Sequence, residues 1–183
     1  MESKAVSAEL TKVLLTEEQI LIRLKELALQ VESDYEQKDL LLVGVLKGAV
    51  VLMADFIRCL TRHADTDWMA VSSYGSGTKS SGVVRINKDL DQDVIGRDVL
   101  IIEDIIDSGL TLNWLVSNLR SRGARSVEVL TLLRKPDAAK VSVTVKYVGF
   151  DIPNDFVVGY GLDFAEKYRN LRDVAVLAPH MYS

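Results

Sequence analysis

Val99-Leu100-Ile101-Ile102-Glu103-Asp104-Ile105-Ile106-Asp107-Ser108-Gly109-Leu110-Thr111 is the stretch on which the fold turns. Four apolar residues read as a buried strand, three carboxylates follow within five positions, and Ser108-Gly109-Leu110-Thr111 leads into a helical pattern. Carboxylates packed this closely disfavour one another's ionised form unless a positive charge or a set of donors relieves them. A divalent cation or ligand hydroxyls would do so. The loop reverses the requirement: backbone N–H groups, Ser and Thr hydroxyls and the positive end of a helix dipole make an anion cradle, and Gly109 permits the tight turn. An acidic strand end followed by such a loop implies a ligand carrying both hydroxyls and phosphate, together with Mg²⁺. The plainer reading makes the acids a solvated sheet mouth and Asp107 or Ser108 an ordinary helix cap. The density of acids and the small-residue loop weigh against it.

Upstream, Leu40-Leu41-Leu42-Val43-Gly44-Val45-Leu46 is a continuous apolar run that enters Lys47-Gly48 and then a helix over 50–62. Such a strand feeding a helix belongs in a parallel sheet covered on both faces, and Lys47 then stands at a carboxyl end, where open α/β sheets bind ligands. Before it, Thr16-Glu17-Glu18-Gln19 is a capping-box pattern opening an amphipathic helix with Ile20, Leu24, Leu27, Ala28 and Val31 on its apolar face. Downstream of the opening stretch, Leu112, Leu115, Val116 and Leu119 mark a helix that stops at Gly123, with Trp114 as packing. A third buried strand, 127–133, ends in Arg134-Lys135. Residues 68–74 read as a further strand and 83–88 as its return. Between them, Gly75-Ser76-Gly77-Thr78-Lys79-Ser80-Ser81-Gly82 has neither the third glycine of a dinucleotide motif nor P-loop spacing. Residues 73–88 are therefore expected to form a flexible loop or flap, whose Lys79, Arg85 and Lys88 can close over an anion. Val141, Val143 and Val145 alternate with polar residues, 147–153 and 156–163 are strand-like, and 174–177 is expected to close the sheet. His63 reads as a helix C-terminal cation; it and His180 lack metal-ligand spacing.

The order of elements predicts an α/β fold, with a mainly parallel central sheet flanked by helices and a small added hood subdomain. A chain of 183 residues, 48% hydrophobic, is expected to form a single domain over 1–183 with its core at about 40–177. A net charge of −4 argues against nucleic acid and anionic membranes as partners, so any phosphate site must be built locally. The single cysteine, Cys59, allows no intrachain disulfide and reads as a core residue; with no signal-peptide pattern and no spanning run, a cytoplasmic location is expected.

From about residue 40 to 177 the chain resembles the type I phosphoribosyltransferases, and among them the hypoxanthine-guanine phosphoribosyltransferase branch. The 99–111 stretch looks like their signature for phosphoribosyl diphosphate (PRPP). Leu46-Lys47-Gly48, Ser72-Ser73-Tyr74-Gly75, Leu132-Leu133-Arg134-Lys135 and Phe156-Val157-Val158-Gly159-Tyr160-Gly161-Leu162-Asp163 follow in the order the purine branch requires. The resemblance implies purine salvage: Mg²⁺-dependent transfer of phosphoribosyl from PRPP to N9 of hypoxanthine or guanine, in a homodimer or homotetramer. It implies that Glu103 and Asp104 hold the ribose hydroxyls, which themselves chelate metal, and that Asp107, Ser108, Gly109, Leu110 and Thr111 bind the 5′-phosphate. Asp107 would be the catalytic proton acceptor near purine N7. Lys47, Gly48 and Arg169 would bind diphosphate, with a non-proline cis peptide before Lys47, and Asp163 would ligate a second Mg²⁺. Lys135 would donate to the purine 6-oxo group, Phe156 would stack on the ring, and the Val157 backbone would read the opposite edge. Ser73 and Tyr74 would belong to the closing flap. Leu110 departs from relatives with Lys or Asn there, which removes a charge near the phosphate.

Two readings of other classes are weaker. A PRPP-sensing regulator would need a basic nucleic-acid face that this chain lacks. A receiver-type aspartyl-phosphate domain needs an Asp-x-Asp motif, and the acids here are spaced Asp104-x-x-Asp107. A xanthine-preferring sister enzyme would differ only in how the purine 2-position is read.

Overall fold

The computed structural model describes residues 1–73 and 84–182. After a short 3₁₀ segment, Ser3–Glu9, the elements run β1 (Leu10–Leu15), α1 (Glu17–Asp34), β2 (Leu40–Leu46), α2 (Val50–Cys59), β3 (Asp65–Ser73), β4 (Val84–Lys88), β5 (Asp98–Ile106), α3 (Leu110–Ser121), β6 (Ser126–Arg134), β7 (Tyr147–Asp151), β8 (Val157–Val158) and β9 (Val174–Leu177). The main sheet has the order β4-β3-β2-β5-β6-β7, parallel throughout except where β4 returns antiparallel to β3.

The continuous apolar runs of β2, β5 and β6 are explained by the two cores they serve. Leu40, Leu42, Leu100, Ile102, Leu130 and Leu132 pack beneath α1 and α2, whereas Leu41, Val43, Val99, Ile101, Val127 and Val129 pack beneath α3. Alternate residues of one strand point to opposite faces, so a strand covered on both sides must be apolar at every position. The helices start and stop where the sequence directs. Thr16 and Gln19 form the reciprocal capping box, at 3.3 and 2.9 Å. Gly123 follows α3 with φ +89°.

The structure differs from the expectations above in several elements. Residues 174–177 do not close the main sheet; β9 lies between β1 and β8 in a separate antiparallel sheet that forms the hood. A four-residue apolar strand suits any buried sheet, so its composition does not select which one. Residues 141–145 form no strand; the Lys140 and Val141 amides donate to Ser108 O at 3.0 and 3.3 Å, which lays this segment over the phosphate-type loop. Helix α2 ends at Cys59, so His63 is not a helix-terminal cation and Arg58 occupies the last turn. Lys88 cannot serve a flap as expected, because its ammonium donates to Trp68 O and Asp89 O and pairs with Asp91 at 3.1 Å. Tyr74 and Lys79 lie outside the described residues, as do 75–83 with most of the expected flap. Cys59 is packed against the core, and burial pushes its thiol up.

Candidate active site

The carboxyl ends of β2, β5 and β6 meet on one edge of the sheet, beneath the hood. After β2 the chain turns through Lys47-Gly48, the Leu46–Lys47 peptide being cis. Gly48 is required by close approach, since a Cβ there would overlap the carboxylate of Asp104. Asp104 is buried and accepts from the Ile105 amide at 3.0 Å; burial raises its carboxyl to about 6, against the opposing pull of Arg169. Its neighbour Glu103 points to the other face of β5 and lines a cavity. Burial, and next the charge of Asp104, push the Glu103 carboxyl well above its ordinary range, and its Oε2 has no hydrogen-bond partner among the described residues. An orphaned buried carboxylate oxygen is costly unless a ligand donor or a cation meets it.

That cavity, about 240 Å³, is lined by Glu103, Asp107, Ser108, Gly109 and Thr111 together with apolar residues of β2, β3 and β5. The loop enters α3 with Gly109 as N-cap at φ +78°, and no side chain caps the helix. The Leu110 amide donates to Ser108 Oγ at 3.4 Å, and the amides after it in the first turn of this twelve-residue helix are open to a ligand, on the side where the helix dipole favours an anion. This disposes of the ordinary-cap reading of Asp107, whose side chain is exposed. Leu110 is the first helical residue.

A second cavity, about 200 Å³, adjoins the first and shares Ile106, Asp107 and Gly109 with it. Its walls are Arg134, Lys135, Pro136, Ala139 and the 141–145 segment. Lys135 is buried, its amide fixed to Ile106 O at 2.9 Å, and its ammonium has no hydrogen bond or ion pair to a described residue. Asp107 thus stands at the joint between an anion cradle and an apolar slot with a buried cation.

The hood closes this edge through Gly161, whose φ of +101° brings it so near Gly48 O that a Cβ would overlap that oxygen. Arg169 is tied to Gly161 O at 2.8 Å and to Asp163 Oδ1 at 2.7 Å. Glu166 reaches Lys47 at 3.1 Å, and hydrogen bonding to that ammonium holds its carboxyl below the usual range. The expected purine residues divide. Lys135 lines the second cavity, whereas Phe156 lines neither cavity and instead stacks on Tyr182 at 5.1 Å and meets Phe164 edge-on at 5.7 Å. Val157 is buried in β8. The side chain of Ser73 is not described. Sequence reading missed Glu166 and the cavity wall at 141–145, although the Val-x-Val-x-Val alternation signalled a half-buried segment.

A phosphoribosyl transferase domain model matches residues 11–165. The hypoxanthine-guanine phosphoribosyltransferase of Mycobacterium tuberculosis is 57% identical over 180 residues, covering 95% of this chain and 89% of that protein. The chain belongs to the hypoxanthine-guanine phosphoribosyltransferase family. Its relative of that name from Bacillus subtilis is 52% identical, with 95% of this chain and 97% of that one covered. A crystal structure of a hypoxanthine phosphoribosyltransferase from Staphylococcus aureus superposes with a TM-score of 0.95 at 47% identity, covering 98% of this chain and 97% of that one.

In this phosphoribosyltransferase chain, no group of three or more His, Cys, Asp or Glu among the described residues can hold a metal ion by itself. The available donors are hard carboxylate oxygens, Glu103 Oε2 unpartnered among them. Such a set fits Mg²⁺, which keeps water and ligand oxygens and takes few protein ligands.

Proposed function

We propose that this protein salvages purines, transferring the phosphoribosyl group of PRPP to N9 of hypoxanthine or guanine with release of diphosphate. The observation that carries the reading is the position of Asp107, which belongs to both the anion cradle and the cavity containing the buried Lys135 ammonium. Asp107 to Thr111 bind the 5′-phosphate through helix amides and hydroxyls, while Glu103 and Asp104 accept from the ribose hydroxyls. Lys47, Gly48 and Arg169 hold the diphosphate. Lys135 donates to the purine 6-oxo group; an amino group at that position would set donor against donor, which selects against adenine. Phe156 supplies an aromatic face and the Val157 backbone reads the far edge of the base.

In the reaction the N9–C1′ bond forms, the C1′–oxygen bond to diphosphate breaks with its electron pair leaving on that oxygen, and the purine proton passes to Asp107. Bound Mg²⁺ supplies charge neutralisation of the diphosphate, its protein contacts coming from Asp163 and, through ribose hydroxyls or water, Glu103 and Asp104. The segment that follows β3, from Ser73 and Tyr74 up to β4, is assigned the exclusion of water from an oxocarbenium-like transition state, whereas 84–88 belong to the sheet as β4. The whole chain acts as one domain in the cytoplasm, as a homodimer or homotetramer; exposed Val50 and Ile57 on α2 support self-association.

Purified protein with Mg²⁺ and PRPP is expected to convert hypoxanthine and guanine to their monophosphates, to release diphosphate, and to leave adenine untouched. Spectrophotometric assay across hypoxanthine, guanine, xanthine and adenine checks this. Failure to release diphosphate with any 6-oxopurine defeats the enzyme reading, and turnover of xanthine alone moves the protein to the sister activity.

A further inference from the structure

The two cations assigned to diphosphate are separated by more than a hundred residues of chain, yet both approach one atom. Glu166 Oε2 lies 3.1 Å from Lys47 Nζ and 3.5 Å from an Arg169 guanidinium nitrogen. Glu166 is largely exposed, with 64% of its side chain accessible, so no packing force places it there. Its position comes from a tight hairpin. Phe164 and Lys167 exchange amide hydrogen bonds at 3.2 and 3.0 Å, and the two residues between them, Ala165 and Glu166, have φ of +51° and +64°. Positive φ at both central residues is the pattern of a type I′ turn, which favours Asn-Gly. Ala-Glu in that place carries backbone strain, and strain of this kind persists where the surroundings over-determine it and a function uses it. Here the surroundings are Asp163, whose Oδ2 accepts from the Glu166 amide at 2.9 Å while its Oδ1 takes Arg169 at 2.7 Å. The turn therefore points a carboxylate at the pair of cations that the function proposed above reserves for diphosphate.

We propose that Glu166 is the resident anion of the diphosphate subsite, a positioning residue that holds Lys47 and Arg169 together and competes with diphosphate for them. The inference rests on the proposed transferase function and extends it to product release. Glu166 carries less charge than Mg-diphosphate and meets both cations through one oxygen, where diphosphate offers several, so incoming PRPP displaces it. Exposed ion pairs exchange readily. After transfer, Glu166 recaptures the two cations and hastens the departure of diphosphate.

Calorimetric titration of the full chain with Mg-diphosphate tests this. Glu166→Gln keeps the size of the side chain and removes the competing charge. It is expected to tighten diphosphate binding about two- to fivefold, the range for releasing exposed ion pairs, and to lower the KM for PRPP in the same direction. Glu166→Ala should behave likewise, with unfolding temperatures unchanged from wild type. In a Lys47→Ala background the effect of Glu166→Gln should shrink, since the contact it relieves is already gone. Unchanged or weaker diphosphate binding by Glu166→Gln overturns the proposal while leaving the transferase reading intact, and so does an undiminished effect without Lys47. A folded wild-type protein that binds no Mg-diphosphate overturns both.

Discussion

Asp104 shows how a single side chain trades stability for a binding site. Burial lifts its carboxyl from an ordinary 3.8 to about 6, so the unfolded chain loses this proton more readily than the native one. Stability associated with the protonated native form is present below about pH 4 and is lost as pH rises through about 6, because over that interval the native state binds more protons than the unfolded state. Asp104→Asn removes the titration and keeps an oxygen for the Ile105 amide. In chelator, the variant is expected to be more stable than wild type above pH 7 and no more stable below pH 4. Thermal denaturation across that range is the measurement. A gain that persists at pH 4 would trace the effect to packing rather than charge. The same variant should bind PRPP poorly, as the lost carboxylate is one of the two assigned to the ribose hydroxyls.

Among the elements, the Gly48 and Gly161 turns decide how the hood sits on the sheet. Gly161 combines φ +101° with contact against Gly48 O, whereas Gly96 has φ +70° and nothing within 4 Å of where a Cβ would lie. Gly96→Ala should cost only the left-handed strain, about 1–2 kcal/mol, and leave catalysis unchanged. Gly161→Ala adds the clash and should cost about 3–4 kcal/mol while raising the KM for PRPP, because Arg169 is anchored to the Gly161 carbonyl. Urea denaturation of both variants separates strain from clash, and equal losses would mean that the hood shifts without consequence. The strands and helices that build this edge were legible from the sequence, since burial on both faces makes β2, β5 and β6 apolar throughout and the helix caps have local signatures. A small hood was legible from the late short strands, but its strand pairing and the strained turns were not. Their determinants are contacts between residues far apart in the chain, such as Leu10 with Leu177 or Gly48 with Gly161, and local pattern carries no record of such pairs. The acidic stretch and its loop were legible as a site because opposed charge requirements lie side by side. Glu166 was not, because an exposed acid in a charged segment looks like any solvated residue until Lys47 is placed beside it.

At the scale of the whole molecule, the proposed site joins β2, β5, β6, the amino end of α3 and the hood, so no part of it exists in the unfolded chain. A ligand that spans these parts binds only the native state and must stabilise it by mass action. With Mg-PRPP at a hundred times its dissociation constant the gain is about 2.7 kcal/mol, which for a chain of this length raises the unfolding temperature by about 5–10 °C. Hypoxanthine alone, which the proposed function assigns to the second cavity, should give a smaller shift. Among the described residues Glu103 Oε2 is unpartnered and no group of three or more His, Cys, Asp or Glu gathers, so the proposed use of Mg²⁺ is tested by varying metal and PRPP separately. PRPP with chelator should lose most of its shift, because the diphosphate charge then rests on Lys47 and Arg169 unaided, and Mg²⁺ without PRPP should give little, because the protein offers too few ligands of its own. Differential scanning calorimetry of the four combinations distinguishes these cases. A large shift from Mg²⁺ alone would show a metal site that the described residues do not account for, and full stabilisation by PRPP in chelator would remove Mg²⁺ from the binding step.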